Sequence, residues 1–192
     1  MSRILIAYAS SYGQTRKIAE AIASELRHGG HVVELADTLA GPPPPVQDYD
    51  AVVLGSRVQL GRHARPILAY IAANRAELDQ VPSYFFSVSM SAAERHTLDP
   101  DGYLEKLFAT SHWRPREAIA IAGGLPYRRY GFILRAIMKS ISRRGGHTTD
   151  TSHDHEYTDW AQVQRFAAGI AAELASPRAA ATVRGGGLRP EA

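Results

Sequence analysis

Ile4-Leu5-Ile6-Ala7-Tyr8-Ala9-Ser10-Ser11-Tyr12-Gly13-Gln14-Thr15 decides the fold. A continuous apolar run ends in small and hydroxyl residues, and a helical pattern then opens at Thr15. From there to His28, Ile18, Ala19, Ile22, Ala23 and Leu26 share one face, and Gly29-Gly30 stops the helix. A strand with no polar alternation is buried on both sides, and an amphipathic helix following it at once marks the opening of a parallel β-α-β unit.

Working outward, the alternation repeats. Residues 32–35, 51–55, 83–88 and 118–122 read as four further strands. Pro66 suits the first turn of a helix running to about Leu78, and Asp99-Pro100 caps and opens another carrying Tyr103, Leu104, Leu107 and Phe108. Asp159 caps a last helix bearing Trp160, Val163, Phe166, Ile170 and Leu174. The tract Gly41-Pro42-Pro43-Pro44-Pro45 reads as a stiff, extended connector. The prediction is an α/β protein: a doubly wound, five-stranded parallel sheet with helices on both faces. Residues 125–158 break the rhythm as a long insertion after the fifth strand, and loops of that size are usually functional. One domain therefore covers residues 1–175, and 176–192, rich in Ala, Gly, Pro and Arg without period, read as a disordered tail.

Composition narrows the function. The chain has 192 residues, 45% hydrophobic and 21% charged, which excludes wholesale disorder and collagen-like structure. No apolar run reaches the roughly 18–20 residues needed to cross a bilayer. No signal-peptide pattern is visible, so the cytoplasm is the expected compartment. Zero cysteines remove disulfides, thiolate metal sites, iron–sulfur clusters and dithiol relays. The net charge is +3, yet residues 113–146 hold eight basic residues against the single acid Glu117, so a mildly acidic body carries one basic segment.

The first strand–helix turn has the chemistry of an anion site. Helix N-terminal N–H groups point outward, the dipole adds positive potential, and Ser10, Ser11 and Thr15 can donate to phosphate oxygens around Tyr12, Gly13 and Gln14. Neither G-x-x-x-x-G-K-[ST] nor G-x-G-x-x-G is present, so a monophosphate ester fits better than a triphosphate or a dinucleotide. An ordinary Ser-rich helix cap is the plain alternative.

Tyr8-x-Ser10-x-x-Gly13-x-Thr15-x-x-x-Ala19-x-x-Ile22 resembles the flavodoxin signature, departing in Ala7, where a larger apolar residue is usual. Further motifs are similar to a narrower family, the flavodoxin-like, quinone-dependent protoporphyrinogen IX dehydrogenases. They are Tyr49-Asp50-x-Val52-Val53-x-Gly55, Pro82-Ser83-x-Phe85-x-Ser87-Val88, Trp113-Arg114-Pro115, Ala122-Gly123, Tyr127-x-Arg129-Tyr130, Thr149-Asp150-Thr151 and Tyr157-Thr158-Asp159-Trp160. They run in order over about residues 3–175; the departures lie in residues 90–99, in the stretch 147–155 and in the tail. The resemblance implies a flavodoxin-like strand order 2-1-3-4-5 and FMN, its phosphate held by Ser10, Ser11, Tyr12, Gly13, Gln14 and Thr15. It also implies that Ser56, Arg57, Val58 and Gly61, with Ser87, Val88 and Ser89, flank the isoalloxazine ring. The implied reaction is dehydrogenation of protoporphyrinogen IX in haem biosynthesis, with electrons passing to menaquinone or ubiquinone in the membrane.

Within the insertion, Tyr130, Ile133, Leu134, Ile137, Met138 and Ile141 form an apolar stripe opposite Arg135, Lys139, Ser142, Arg143 and Arg144. Such a helix, over about 130–144, can lie on anionic lipid or simply cover the sheet. A quinone partner favours the lipid, giving a protein peripherally attached to the inner face of the cell membrane. Arg114, Arg128, Arg129 and Arg135 are candidates for the substrate's propionates, because guanidinium matches carboxylate bidentately. No side chain stands out as a general base, so no catalytic residue is assigned. His147, His153 and His155 read as a solvated loop and not a metal site, and no nucleic-acid motif accompanies the basic segment. A flavodoxin-type electron carrier and an NAD(P)H:quinone oxidoreductase are the alternatives. Typical carriers are acidic around the flavin, and a sequence pI near 9.3 argues against the first.

Overall fold

The computed structural model describes residues 1–90, 92, 102–125 and 155–176. Five parallel strands form its centre: β1 (Arg3–Ala9), β2 (Val32–Asp37), β3 (Ala51–Gln59), β5 (Ser83–Ser89) and β6 (Glu117–Ala122), ordered β2-β1-β3-β5-β6. Counted as five parallel strands, this is the expected 2-1-3-4-5. The extra strand is β4 (Arg62–His63), which folds back antiparallel on the end of β3, pairing Val58 with His63 and Gln59 with Arg62. The sequence reading ends the third strand at Gly55; the structure extends it to Gln59 and turns it into a hairpin. Its turn is Leu60-Gly61, at φ 50° and 73°, the pair of positive values that a two-residue turn needs to match strand twist.

Strand alternation divides the core in two. Ile4, Ile6 and Tyr8 of β1 face one side, where α1 (Gln14–His28) and α5 (Trp160–Ala175) cover the sheet. Leu5, Ala7 and Ala9 face the other, packed with residues of α2 (Arg65–Ala73), α3 (Arg75–Leu78) and α4 (Tyr103–Ser111). Both faces are covered, which is why β1 and the first five residues of β3 carry no polar alternation. Gly55 is required by its neighbour: across the ladder from Phe86, a Cβ there would sit 2.0 Å from the ring's far carbon.

Two helix boundaries differ from the sequence reading. The helix expected from Pro66 to Leu78 breaks at Asn74, whose side-chain amide donates to the Tyr70 carbonyl at 2.9 Å and competes with the backbone ladder. The helix carrying Tyr103 begins after Gly102, at φ 65°; Asp99 and Pro100 lie outside the described residues. Asp159 behaves as expected, accepting from the backbone N–H groups of Ala161 (2.9 Å) and Gln162 (3.1 Å). The insertion begins and ends at a short antiparallel ladder, β7 (Gly124–Leu125) with β8 (His155–Glu156), pairing Leu125 with His155. The amphipathic helix at about 130–144, with Arg128, Arg129 and Arg135, lies outside the described residues, as do residues 147–154 and the tail 177–192.

Candidate functional site

The carboxyl ends of β1, β3 and β5 converge on one edge of the sheet, beside the point where strand order reverses. At β1 the chain turns through residues 10–13 into α1. Gly13 takes φ 98°, a left-handed conformation that a side chain would resist. The start of α1 lacks what protein helices normally recruit there, since no side chain caps it and no acid sits in its first turn. α5, capped twice by Asp159, is the contrast. The first-turn N–H groups of α1 are thus left for an external acceptor.

Two hydroxyls of the same turn accept hydrogen bonds from within the protein. Ser10 Oγ accepts from Gly13 N–H at 3.1 Å, and Ser11 Oγ accepts from Arg57 Nε at 2.6 Å. A hydroxyl already accepting keeps its own hydrogen to donate. Thr15, 2% exposed, sits one residue into the helix. Tyr8, at the end of β1, has its phenol pushed above the ordinary value by burial and then by the Asp37 charge, so it stays neutral.

The other expected residues divide by position. Arg57, Val58 and Gly61 line the hairpin that flanks the edge. Ser56 is fully buried instead: its Oγ accepts from Ala64 N–H at 3.0 Å and donates to the Arg57 carbonyl at 3.0 Å, fastening the hairpin root to the start of α2. Ser87 is 1% exposed and its Oγ meets His63 Nε2 at 3.0 Å. Val88 and Ser89 are also buried, and Ser89's carbonyl accepts from Gly123 N–H. Arg114 is not brought to this edge. It precedes β6, at the amino end of the strands, where it pairs with Glu105 at 3.0 Å and lies over the Phe108 ring. A strand of six residues puts it roughly 20 Å from the carboxyl edge.

Several residues join the site that sequence reading does not single out for it. Gln14 Nε2 donates to Thr158 Oγ1 at 2.8 Å, and Thr158 Oγ1 donates to the Ala122 carbonyl at 2.7 Å. Lys17 Nζ reaches Glu156 at 3.0 Å, and Trp160 Nε1 donates to the same carboxylate at 2.9 Å. Burial alone raises the Glu156 carboxyl, but Lys17, with Gln14 and Trp160, outweighs it and holds the group below the usual range. The returning end of the insertion is thereby bolted to the first turns of α1. Its one trace in the sequence is the motif Tyr157-Thr158-Asp159-Trp160. His63, buried and edge-to-face with Phe85 at 5.4 Å, is the other addition, and nothing in the sequence marks it.

The flavodoxin domain family matches residues 5–152. The chain is 35% identical over 171 residues to the Escherichia coli K12 protein named protoporphyrinogen IX dehydrogenase (quinone), covering 88% of this chain and 94% of that one. It belongs to the protoporphyrinogen IX dehydrogenase family of flavodoxin-domain proteins. A Leishmania major protein of the same name is 32% identical over 173 residues, covering 88% of this chain and 75% of that one. Solved structures agree on the fold of this family member. Flavodoxin 1 from Bacillus cereus superimposes with a TM-score of 0.51 at 14% identity, covering 91% of this chain and 100% of that one. A Pseudomonas aeruginosa flavodoxin variant gives 0.53 at 12%, covering 91% and 99%. The flavodoxin domain implies a flavin cofactor, and the open α1 terminus with its Ser and Gly donors fits a flavin's anionic phosphate end.

Proposed function

We propose that this protein dehydrogenates protoporphyrinogen IX to protoporphyrin IX with FMN, passing the electrons to a membrane quinone, menaquinone or ubiquinone. The observation that carries this is the 35% identity extending over 94% of a protein of that name, with a phosphate-type loop at the matching end of the first strand. The bound flavin supplies reversible two-electron chemistry. Ser10, Ser11, Gly13, Gln14 and Thr15, with Tyr12, hold the single phosphate that distinguishes FMN from FAD. The hairpin residues Arg57, Val58 and Gly61 and the β5 end at Ser87, Val88 and Ser89 shape the space for the ring. Each round removes a hydride from a methylene bridge and a proton from a pyrrole N–H, and delivers both to the quinone as a quinol. Three rounds complete the aromatic macrocycle. Arg128, Arg129 and Arg135 remain substrate candidates, whereas Arg114 stands at the far edge of the sheet. The basic segment at about 130–144, with its apolar stripe, carries the protein on the membrane surface, where the quinone resides.

The test is anaerobic turnover of protoporphyrinogen with a menaquinone analogue, beside co-sedimentation with anionic liposomes. Quinone-dependent formation of protoporphyrin supports the reading, and flavin reduction by NADPH without porphyrinogen oxidation would replace it with the quinone-reductase alternative. Liposome binding that survives neutralising Arg135, Lys139, Arg143 and Arg144 would remove the membrane role of this segment.

A further inference from the structure

Between Asp50 and Glu77 the chain has no acidic residue, yet Arg57, Arg62 and Arg65 fall within it at the carboxyl edge. Among the described residues none of the three takes part in an ion pair, whereas Arg3, Arg16, Arg75, Arg114, Arg116 and Arg165 all do. The β3–β4 register sets their direction. Val58 and His63 pair on the buried side of the hairpin, so Gln59, Arg62 and, two residues back, Arg57 project from its other side. Arg65 opens α2, and the Ser56–Ala64 hydrogen bond pins that start to the hairpin root. α2 packs on the face of Leu5, Val52 and Leu54, so Arg65 lies on the other side of the sheet from Arg57 and Arg62, which share the face of Val53.

Two features say what the patch takes. Leu60 at the hairpin tip is 76% exposed, so an apolar side chain stands among the cations and suits an anion with an apolar body. The Arg57 Nε bond to Ser11 fastens the patch to the cofactor loop while leaving the terminal nitrogens of that guanidinium for a carboxylate. We infer that the β3–β4 hairpin is a carboxylate subsite in which Arg57 and Arg62 receive a propionate group of the tetrapyrrole at the flavin edge. The inference rests on the porphyrinogen reading above and gives a substrate acid a destination that Arg114 does not provide.

The experiment compares FMN-loaded wild type with Arg62→Gln and with Arg65→Gln, whose side chain lies on the other face of the sheet. Equilibrium binding of protoporphyrin IX and of its dimethyl ester is measured by fluorescence, together with KM for the two porphyrinogens. Bound FMN absorbance and the thermal midpoint confirm folding. Binding of the diacid is expected to weaken about tenfold in Arg62→Gln and to hold in Arg65→Gln, while the uncharged diester moves less than about twofold in both, so the acid-to-ester ratio collapses only in the first. Arg62→Lys, keeping the charge without the fork, recovers part of the loss. Equal effects of Arg62→Gln on acid and ester, or none on either, would overturn the subsite. So would loss of anionic-vesicle binding with porphyrin affinity unchanged, which would make the patch a lipid contact. Wild-type protein that fails to oxidise porphyrinogen with quinone removes the functional reading itself. Wild-type turnover with an unaltered KM in Arg62→Gln removes only the subsite.

Discussion

Thr158 joins three parts of the molecule, and Thr158→Val removes its chemistry while keeping its shape. The hydroxyl accepts from Gln14 Nε2 at 2.8 Å and donates to the Ala122 carbonyl at 2.7 Å, so the change deletes two hydrogen bonds at a half-buried position. At about 1 kcal/mol net for each, with a further cost for a carbonyl only partly rehydrated, the loss is roughly 2–3 kcal/mol. Urea unfolding of the apo-protein reads this as a lower midpoint with an unchanged slope. The second readout is flavin affinity. Gln14 is the first residue of α1, and once released its side chain regains freedom that cofactor binding must quench again. About 1 kcal/mol of that kind corresponds to roughly fivefold weaker FMN binding by fluorescence titration. Thr158→Ser, which keeps both bonds, should match wild type in both measurements. A valine variant with wild-type midpoint and wild-type FMN affinity would refute the idea that the insertion's returning end braces the phosphate loop.

Other outcomes follow from the same structure. Ser10→Ala combined with Thr15→Ala should weaken FMN binding by roughly 1.5–3 kcal/mol for each lost charge-assisted bond, read by the same titration. Gly55→Ala places a carbon against the Phe86 ring and should cost about 1–3 kcal/mol in chemical denaturation; unchanged stability would mean that the ring moves freely aside. Asp159→Ala removes the α5 cap and should cost about 1 kcal/mol, visible as a lower midpoint with FMN affinity intact. Because Glu156 is held below its ordinary value in the fold, its contribution is complete above about pH 4.3 and is lost as pH falls through the lower folded value. Lys17→Met should move the Glu156 titration upward in a carboxyl-carbon NMR series, and an unmoved titration would show that the 3.0 Å pair is not formed in solution.

Most of the architecture was readable because two periodicities carry it. Ile4 to Ala9 could only be a strand buried on both sides, and Ile18, Ala19, Ile22, Ala23 and Leu26 could only face a sheet. The hairpin at 58–63 was not readable, because two-residue turns usually announce themselves with Asn-Gly or Asp-Gly, and here Leu60 occupies the first positive-φ position. The break at Asn74 depended on a side chain choosing its own helix's carbonyl. Arg114 is a different case. Its place before the fifth strand already put it at the amino edge, while ligands of such sheets sit at the carboxyl edge, so its distance from the site was legible from order alone. The brace of Gln14, Lys17, Glu156 and Thr158 joins residues about 140 positions apart, and no local pattern encodes such a contact.

The ladder that pairs Leu125 with His155 makes the segment between them a cassette. Paired residues across an antiparallel ladder lie about 4.5–5.5 Å apart, a gap that a two-residue Asn-Gly turn spans. Exchanging residues 126–154 for that turn would therefore leave the sheet, the α1 terminus and the Glu156–Lys17 anchor in place. Flavin titration of the product would read how much of cofactor binding rests on the described elements, and other segments of the family grafted onto that blank chassis would show their contribution to substrate choice one at a time.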